Sequence, residues 1–505
     1  MSDGLAPTGE QRDPYEPRPG LTHRDADWSG LRVVVAGLGV SGFAAADALL
    51  ERGAVVTGVD SGTSQALTER ARILEILGAR LLLGPQGQQA ISEPEASLAD
   101  ADLVVTSPGW RPDNPLLAAA AQRGIPVWGE VELAWRMRPA HNPAPWLTIT
   151  GTNGKTTVVT MVAGMLAAAG LRAAAAGNVG TPILEAVLHP QPFDVIAVEL
   201  SSFQLHWQRS VSPLASVCLN IAPDHLDWHG SLAEYARAKG RVYANTQVAC
   251  VYNEQDPATE QLVVDAEVVE GCRAVAFTLG TPAISMVGLV EDVLADRAFV
   301  QERRTSAAEL GTLADLQRGD LPPAPHVVAN ALAAAALARA AGAPPVAVRQ
   351  GLRTYVFEPH RIALVAARAG VSWIDDSKAT NPHAAQASLA AYDPVVWIAG
   401  GQLKGADVEE LVRGAAGRLR GVVLLGADRA QIAQALARHA PDVPVHEVAS
   451  TDTGAMEEVV AAAASFAEAG DVVLLAPAAA SLDMFPSYGA RGDAFAAAVR
   501  RHLGE

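Results

Sequence analysis

The sequence predicts an α/β protein built from three domains in series. Three observations carry that expectation. Strand-like apolar runs alternate with helical stretches, two of those runs end in glycine-rich loops, and 505 residues suit about three domains of ordinary size. Half of the residues are hydrophobic and only 18% are charged, so large cores can form.

Residues 1–29 are rich in Pro, Gly, Asp and Arg without apolar periodicity, and are expected to be a disordered tail. The first domain is placed at 30–142. The run 31–36 predicts a buried strand, followed by glycines and by Phe43, Ala46, Leu49 and Leu50 at helical spacing; 55–60 and 103–107 supply further strands. Proline-rich 141–145 reads as a linker.

A central domain over 143–356 opens with a strand at 146–149, a loop, and a helix from Val158, with buried strands at 195–200 and 215–220. The stretch 255–321 suggests strands and turns without a motif, and alanine-rich 327–341 predicts a helix. In the third domain, 357–505, strand-like 371–374, 395–399, 422–425 and 472–475 alternate with helices, a doubly wound pattern.

Several function classes are disfavoured at once. With 38 basic and 55 acidic residues the net charge is −17, which argues against non-specific nucleic-acid binding. No apolar run reaches the roughly 18–20 residues of a membrane span, and the N-terminus has no signal pattern. Cys218, Cys250 and Cys272 fit no metal-ligand spacing and point to a reducing, cytoplasmic setting.

Chemistry-bearing residues gather at predicted strand ends. Gly37-Leu38-Gly39-Val40-Ser41-Gly42, with Asp60 ending the next strand, suits a nucleotide phosphate at a helix N-terminus, or simply a helix packed tightly on a sheet. Gly151-Thr152-Asn153-Gly154-Lys155-Thr156-Thr157 is a variant phosphate loop, its first glycine displaced from the usual position. Backbone N–H groups would cradle polyphosphate, Lys155 adds charge, and a hydroxyl can reach Mg²⁺. Glu199 ends an apolar strand where it could hold a cation or merely meet solvent, and Asp224-His225 leaves another. Lys239 sits in a basic stretch whose plain reading is a solvated helix face. Glu358-Pro359-His360-Arg361, Asp376-Ser377-Lys378-Ala379-Thr380-Asn381, Lys404, and Ser481-Leu482-Asp483-Met484-Phe485 with Tyr488, Arg491 and Gly492 cluster after strands of the third unit.

Taken together, from Leu31 to the C-terminus, these residues resemble the Mur ligase family, and Glu199-Leu-Ser-Ser-Phe-Gln-Leu205 and Asp376 to Asn381 are similar to its D-glutamate-adding branch. The resemblance implies a Rossmann-like N-terminal domain for a UDP moiety, a central P-loop ATPase-like domain, and a Rossmann-like C-terminal domain for the incoming amino acid. It implies ATP-dependent addition of D-glutamate to UDP-N-acetylmuramoyl-L-alanine through an acyl-phosphate, in peptidoglycan precursor synthesis, by a monomer.

By match, Gly39, Val40, Ser41, Ser61, Ser107, Pro108, Gly109 and Asn178 would meet the UDP substrate. Residues Gly151, Thr152, Asn153, Gly154, Lys155, Thr156 and Thr157, with Asn330, His360, Arg361 and Asp376, would meet ATP. Thr156, Glu199, His225 and Lys239 would organise two Mg²⁺ ions, the lysine being N6-carboxylated, and Lys155, Glu199, His225 and Lys239 would be catalytic. Lys378, Thr380, Lys404, Ser481, Leu482 and Tyr488 would surround D-glutamate, Tyr488 standing where the family usually has Phe. A sister Mur ligase or a folylpolyglutamate synthetase would share the ATPase; a nicotinamide oxidoreductase would account for the first glycine loop alone, and a scaffold without activity for none of the charged residues.

Overall fold

The computed structural model describes residues 15–317, 322–450, 452 and 454–504. Its apolar runs become the central strands of three sheets. β1 (Arg32–Ala36), β2 (Val55–Asp60), β3 (Arg80–Leu83), β4 (Leu103–Thr106) and β5 (Val127–Gly129) form an all-parallel sheet of order β3-β2-β1-β4-β5. Chain order reverses between β1 and β4, and a crevice opens beyond the strand ends at such a switch point.

The second sheet has nine strands: β6 (Trp146–Thr150), β7 (Ala173–Gly177), β8 (Val195–Glu199), β9 (Ala215–Cys218), β10 (Ala249–Asn253), β11 (Arg273–Phe277), β12 (Met286–Val290), β13 (Val293–Asp296) and β14 (Ala308–Thr312). Its order is β14-β13-β12-β11-β10-β9-β6-β8-β7, so the phosphate-loop strand β6 lies between the strand that ends in Glu199 and the strand leading to Asp224. The motif-free stretch resolves partly into an antiparallel meander, β12 to β14. Helix Pro325–Ala340 packs its alanines against this sheet, ten of its sixteen residues being buried, which small side chains permit.

The third sheet comprises β15 (Ala363–Arg368), β16 (Val371–Asp375), β17 (Val395–Gly400), β18 (Leu419–Leu425), β19 (Val445–Glu447) and β20 (Val472–Leu475). In order β15-β16-β20-β17-β18-β19 it is parallel except for β15.

Two expectations need correction. The helix expected from Val158 begins at Lys155, because Gly154 adopts φ +88 and turns the chain three residues earlier. The disordered tail expected over 1–29 is, from Tyr15 onward, a packed strap; residues 1–14 lie outside the described ones. Leu21 and Trp28 are each 1% exposed in the core of the first two sheets. Trp128 Nε1 donates to the Tyr15 carbonyl at 3.0 Å, and Arg136 joins Glu16 at 3.1 Å and Glu132 at 2.7 Å. Two isolated apolar anchors in a polar, proline-rich stretch give no periodicity, so nothing in the sequence pattern marks them.

Candidate active site

β6 runs straight into the phosphate loop, and the loop is held open by its neighbours rather than by itself. Thr152 N donates to Asn220 O at 3.0 Å, Asn153 N to Asn220 Oδ1 at 2.9 Å, and the Thr152 hydroxyl meets Tyr235 Oη at 3.1 Å. Only glycine fits position 154: a Cβ there would lie 2.5 Å from Asn330 Oδ1, on a positive φ. Helix Lys155–Ala168 begins at once, so its unpaired amides and dipole face the loop. Lys155 Nζ donates to Gly151 O at 2.8 Å and Thr152 O at 2.9 Å, folded back over the cradle.

A second lysine, this one buried, lies beside the first. Lys239, on helix Leu232–Gly240, is 2% exposed, and its Nζ donates to Gly151 O at 2.8 Å. The plain reading of that stretch as a solvated face is therefore wrong for this residue. Burial, then the charge of Lys155, pushes the Lys239 amine down to about 7; burial also lowers Lys155, with Glu199 and Asp224 opposing.

Glu199 is 1% exposed at the end of β8. One oxygen accepts from Asn178 Nδ2 at 3.0 Å, and Oε2 is buried without a hydrogen-bond partner. A buried carboxylate with one oxygen unpartnered is costly unless a donor or a cation completes it. Thr156, buried in the first turn of the loop helix, adds a hydroxyl. These donors are oxygens of the kind Mg²⁺ takes. His225, at φ +51, lays its ring 4.8 Å from that of Phe203. Among the described residues no group of three or more His, Cys, Asp or Glu could hold a metal ion.

Loops of the third sheet reach over the same cradle. Arg361 Nη1 donates to Thr157 Oγ1 at 3.2 Å and pairs with Glu358 at 2.6 Å. Asn381 Nδ2 donates to Asn153 Oδ1 at 3.1 Å, and His383 Nδ1 lies 3.0 Å from Asn153 Nδ2. His360, at φ +63, bonds Asp375 at 2.6 Å. Asp376 turns inward, accepting from the Ser388 hydroxyl and from Ile362 N at 3.3 Å. Lys378 Nζ lies 3.9 Å from the centre of the Tyr488 ring, Ser481 is buried, and Leu482 stands 62% exposed.

In the first sheet, Ser107 Oγ donates to Gly37 O at 2.8 Å, closing the β1 and β4 ends into one wall. Asp60 accepts from Leu38 N at 2.8 Å and Gly62 N at 2.8 Å, so it braces the glycine loop. Gly39, Val40 and Ser61 are exposed at this crevice mouth.

Comparison with known proteins decides the family. Residues 31–129 match the Mur ligase MurD-like N-terminal domain, 149–338 the Mur ligase middle domain, and 360–479 the Mur ligase glutamate ligase domain. The chain belongs to the Mur ligase family. It is 59% identical over 474 residues to a UDP-N-acetylmuramoylalanine--D-glutamate ligase of Streptomyces avermitilis, covering 94% of this chain and 99% of that protein. A Thermobifida fusca protein of the same name is 58% identical, with 94% and 99% coverage. The fold is similar to that of the UDP-N-acetylmuramate-alanine ligase MurC of Thermotoga maritima, at TM-score 0.51 and 20% identity over 94% of this chain and 99% of that one.

This Mur ligase thus brings Lys155, Thr156, Thr157, Glu199, Lys239 and Arg361 to one cradle, with Asn330 beneath it. His225, Asp376 and Leu482 take positions that do not converge there by direct contact. Asn220, Asn381 and His383, which brace the loop, were not singled out as ligand contacts; of these only Asn381 was read from the sequence, as the end of a polar run. Arg491 was noted only as part of a motif. It is 1% exposed and donates to Ser377 Oγ and O at 2.9 Å each, to Ala479 O at 3.1 Å and to Gly400 O at 3.4 Å, tying three strand ends together. No helix among the described residues is long and apolar enough to cross a membrane.

Proposed function

We propose that this Mur ligase joins D-glutamate to UDP-N-acetylmuramoyl-L-alanine, using ATP and passing through an acyl-phosphate. The observation that carries the reading is the phosphate cradle flanked by the half-buried Lys155, the buried Lys239 and an unsatisfied glutamate, within a chain 59% identical to a ligase of that name. The UDP moiety is assigned to the Gly37 loop and the Ser107 side, ATP to the loop 151–157, and D-glutamate to Lys378, Thr380, Lys404, Ser481 and Tyr488.

The substrate carboxylate attacks the γ-phosphate, and two anions must approach each other. Loop amides and Lys155 offset that repulsion, and the Arg361 guanidinium, already at Thr157, lies where it can meet transferred charge. Mg²⁺, for which Glu199 and Thr156 offer oxygens, supplies charge neutralisation when bound. The amine of D-glutamate then attacks the acyl carbon and phosphate leaves. Lys239 has the environment an N6-carboxylated lysine needs: its amine, held at about 7, is substantially neutral at physiological pH and so nucleophilic toward CO₂. Carboxylation would turn a buried cation into an oxygen ligand beside Glu199. The reaction is placed in the cytoplasm, where its nucleotide substrates occur.

Phosphate release in the presence of UDP-N-acetylmuramoyl-L-alanine tests the assignment, with D-glutamate, L-glutamate and a diamino acid compared. The reading requires D-glutamate to give the large signal. Equal or greater release with a diamino acid would move the chain to a sister activity.

A further inference from the structure

Glu130 opens the short helix Glu130–Arg136 directly after the edge strand β5, and it is only 2% exposed. A carboxylate so deeply buried needs donors. It draws them from both sides of the junction between the first two sheets. From the glycine loop of the first sheet the Ser41 hydroxyl donates to it. From the helix Ile183–Leu188, which follows β7 of the second sheet, Leu184 N donates to its Oε1 at 3.3 Å and Ile183 N donates beside it. Two residues on, the equally buried Glu132 makes the contrast, since it is paired with Arg136 at 2.7 Å. Among the described residues no cation pairs with Glu130. Burial pushes its carboxyl above the usual value, the three donors oppose that rise, and the charge of Glu185 adds to it.

The helix start that Glu130 holds is tied in turn to the active site. The loop between β7 and that helix is closed on itself: Gly177 N donates to Thr181 O at 3.0 Å, and Ala176 bridges Thr181. Gly177 sits at φ +116, where a Cβ would lie 2.2 Å from Glu199 O. Asn178, next along, donates through its backbone N to Glu199 O at 2.9 Å and through Nδ2 to Glu199 Oε1 at 3.0 Å. So short a closed loop cannot shift independently of the helix it feeds. A continuous set of contacts therefore runs from Ser41 through Glu130 and the helix start to Asn178 and Glu199.

We infer that Glu130 is a positioning residue for the UDP-linked acceptor, fixing the Ser41 loop in register with Asn178 and Glu199. An acceptor seated against the first sheet then presents its carboxylate at the phosphate cradle. The inference rests on the assignment of Ser41 and Asn178 to that substrate. It separates Glu130 from the nucleotide contacts, because none of its donors belongs to the loop 151–157.

The test is phosphate-release kinetics of the full chain with UDP-N-acetylmuramoyl-L-alanine, ATP, Mg²⁺ and D-glutamate, comparing three variants. Glu130→Ala removes the link, and Glu130→Asp keeps the charge but is one methylene too short to span it. Both should lose on the order of a hundredfold in kcat/KM for the acceptor, the scale of a small misplacement of a reacting group. Glu130→Gln keeps the reach and an accepting oxygen for the helix amides, and the Ser41 hydroxyl can turn to accept from its amide; it should stay within about threefold of wild type. In all three the KM for ATP should hold within about twofold. If the alanine variant does not fold, the contrast between glutamine and aspartate decides. Aspartate equal to or better than glutamine, or a KM for ATP that rises as steeply as that for the acceptor, overturns the inference while leaving the proposed function intact. A wild type that releases no phosphate with this acceptor overturns both.

Discussion

Replacing Lys239 by methionine isolates the electrostatic cost of the buried ammonium. The amine falls from an ordinary 10.5 to about 7, mainly through burial, so the unfolded chain holds a proton that the folded chain lacks between those values. Wild-type stability therefore rises as pH increases from about 7 to 10.5, by about 5 kcal/mol across the window, and the full penalty is present below it. Methionine has similar bulk and no charge; it forfeits the Nζ to Gly151 hydrogen bond, worth about 1 kcal/mol. At pH 7 the variant should melt higher, by on the order of 10 °C at roughly 2–4 °C per kcal/mol for a domain of this size. Near pH 10 the advantage should vanish. Scanning calorimetry in carbonate-free buffer at several pH values reads this difference directly. Melting temperatures that run parallel for the two proteins from pH 7 to 10 would refute the buried-ammonium argument. The same variant should lose at least a hundredfold in ligase turnover, since Lys239 borders the cradle.

Three further outcomes follow from particular contacts. Arg491→Ala should lower the melting temperature by several degrees, because each buried oxygen it leaves without a partner costs about 1–3 kcal/mol, and should raise the KM for D-glutamate more than it lowers kcat. Asp376→Asn should stabilise the protein above pH 6: burial pushes Asp376 up to about 6 from 3.8, so wild-type stability falls as pH rises through that window by about 3 kcal/mol, and the asparagine variant should lack that slope in acid-range melts. Trp28→Ala should cost about 3–5 kcal/mol in a denaturant titration, since its ring is fully buried in the first core; a free tail would give no change.

Fold was legible wherever a strand was buried on both faces, because such strands read as continuous apolar runs: β1, β4, β8, β9, β17 and β20 fall on the segments expected to hold them. Alanine-rich β7 and the short β3 and β5 carry too little β-branched or periodic signal to stand out. The meander β12 to β14 was hidden for a different reason, since its half-exposed strands are broken by turns and carry no motif. At the site, phosphate-loop residues were readable from local order alone. Lys239 was not, because nothing in its helix pattern distinguishes a buried lysine from a solvated one. Asn220 and Arg491 act through partners far away in sequence, at Asn153 and Ser377, and no spacing rule reaches them.

The central chemical statement is that the acceptor carboxylate itself becomes phosphorylated. Acceptor labelled with ¹⁸O in the alanyl carboxylate should yield inorganic phosphate carrying one ¹⁸O per turnover when ATP, Mg²⁺ and D-glutamate are supplied. Unlabelled phosphate, released at the same rate as the amide forms, would contradict it.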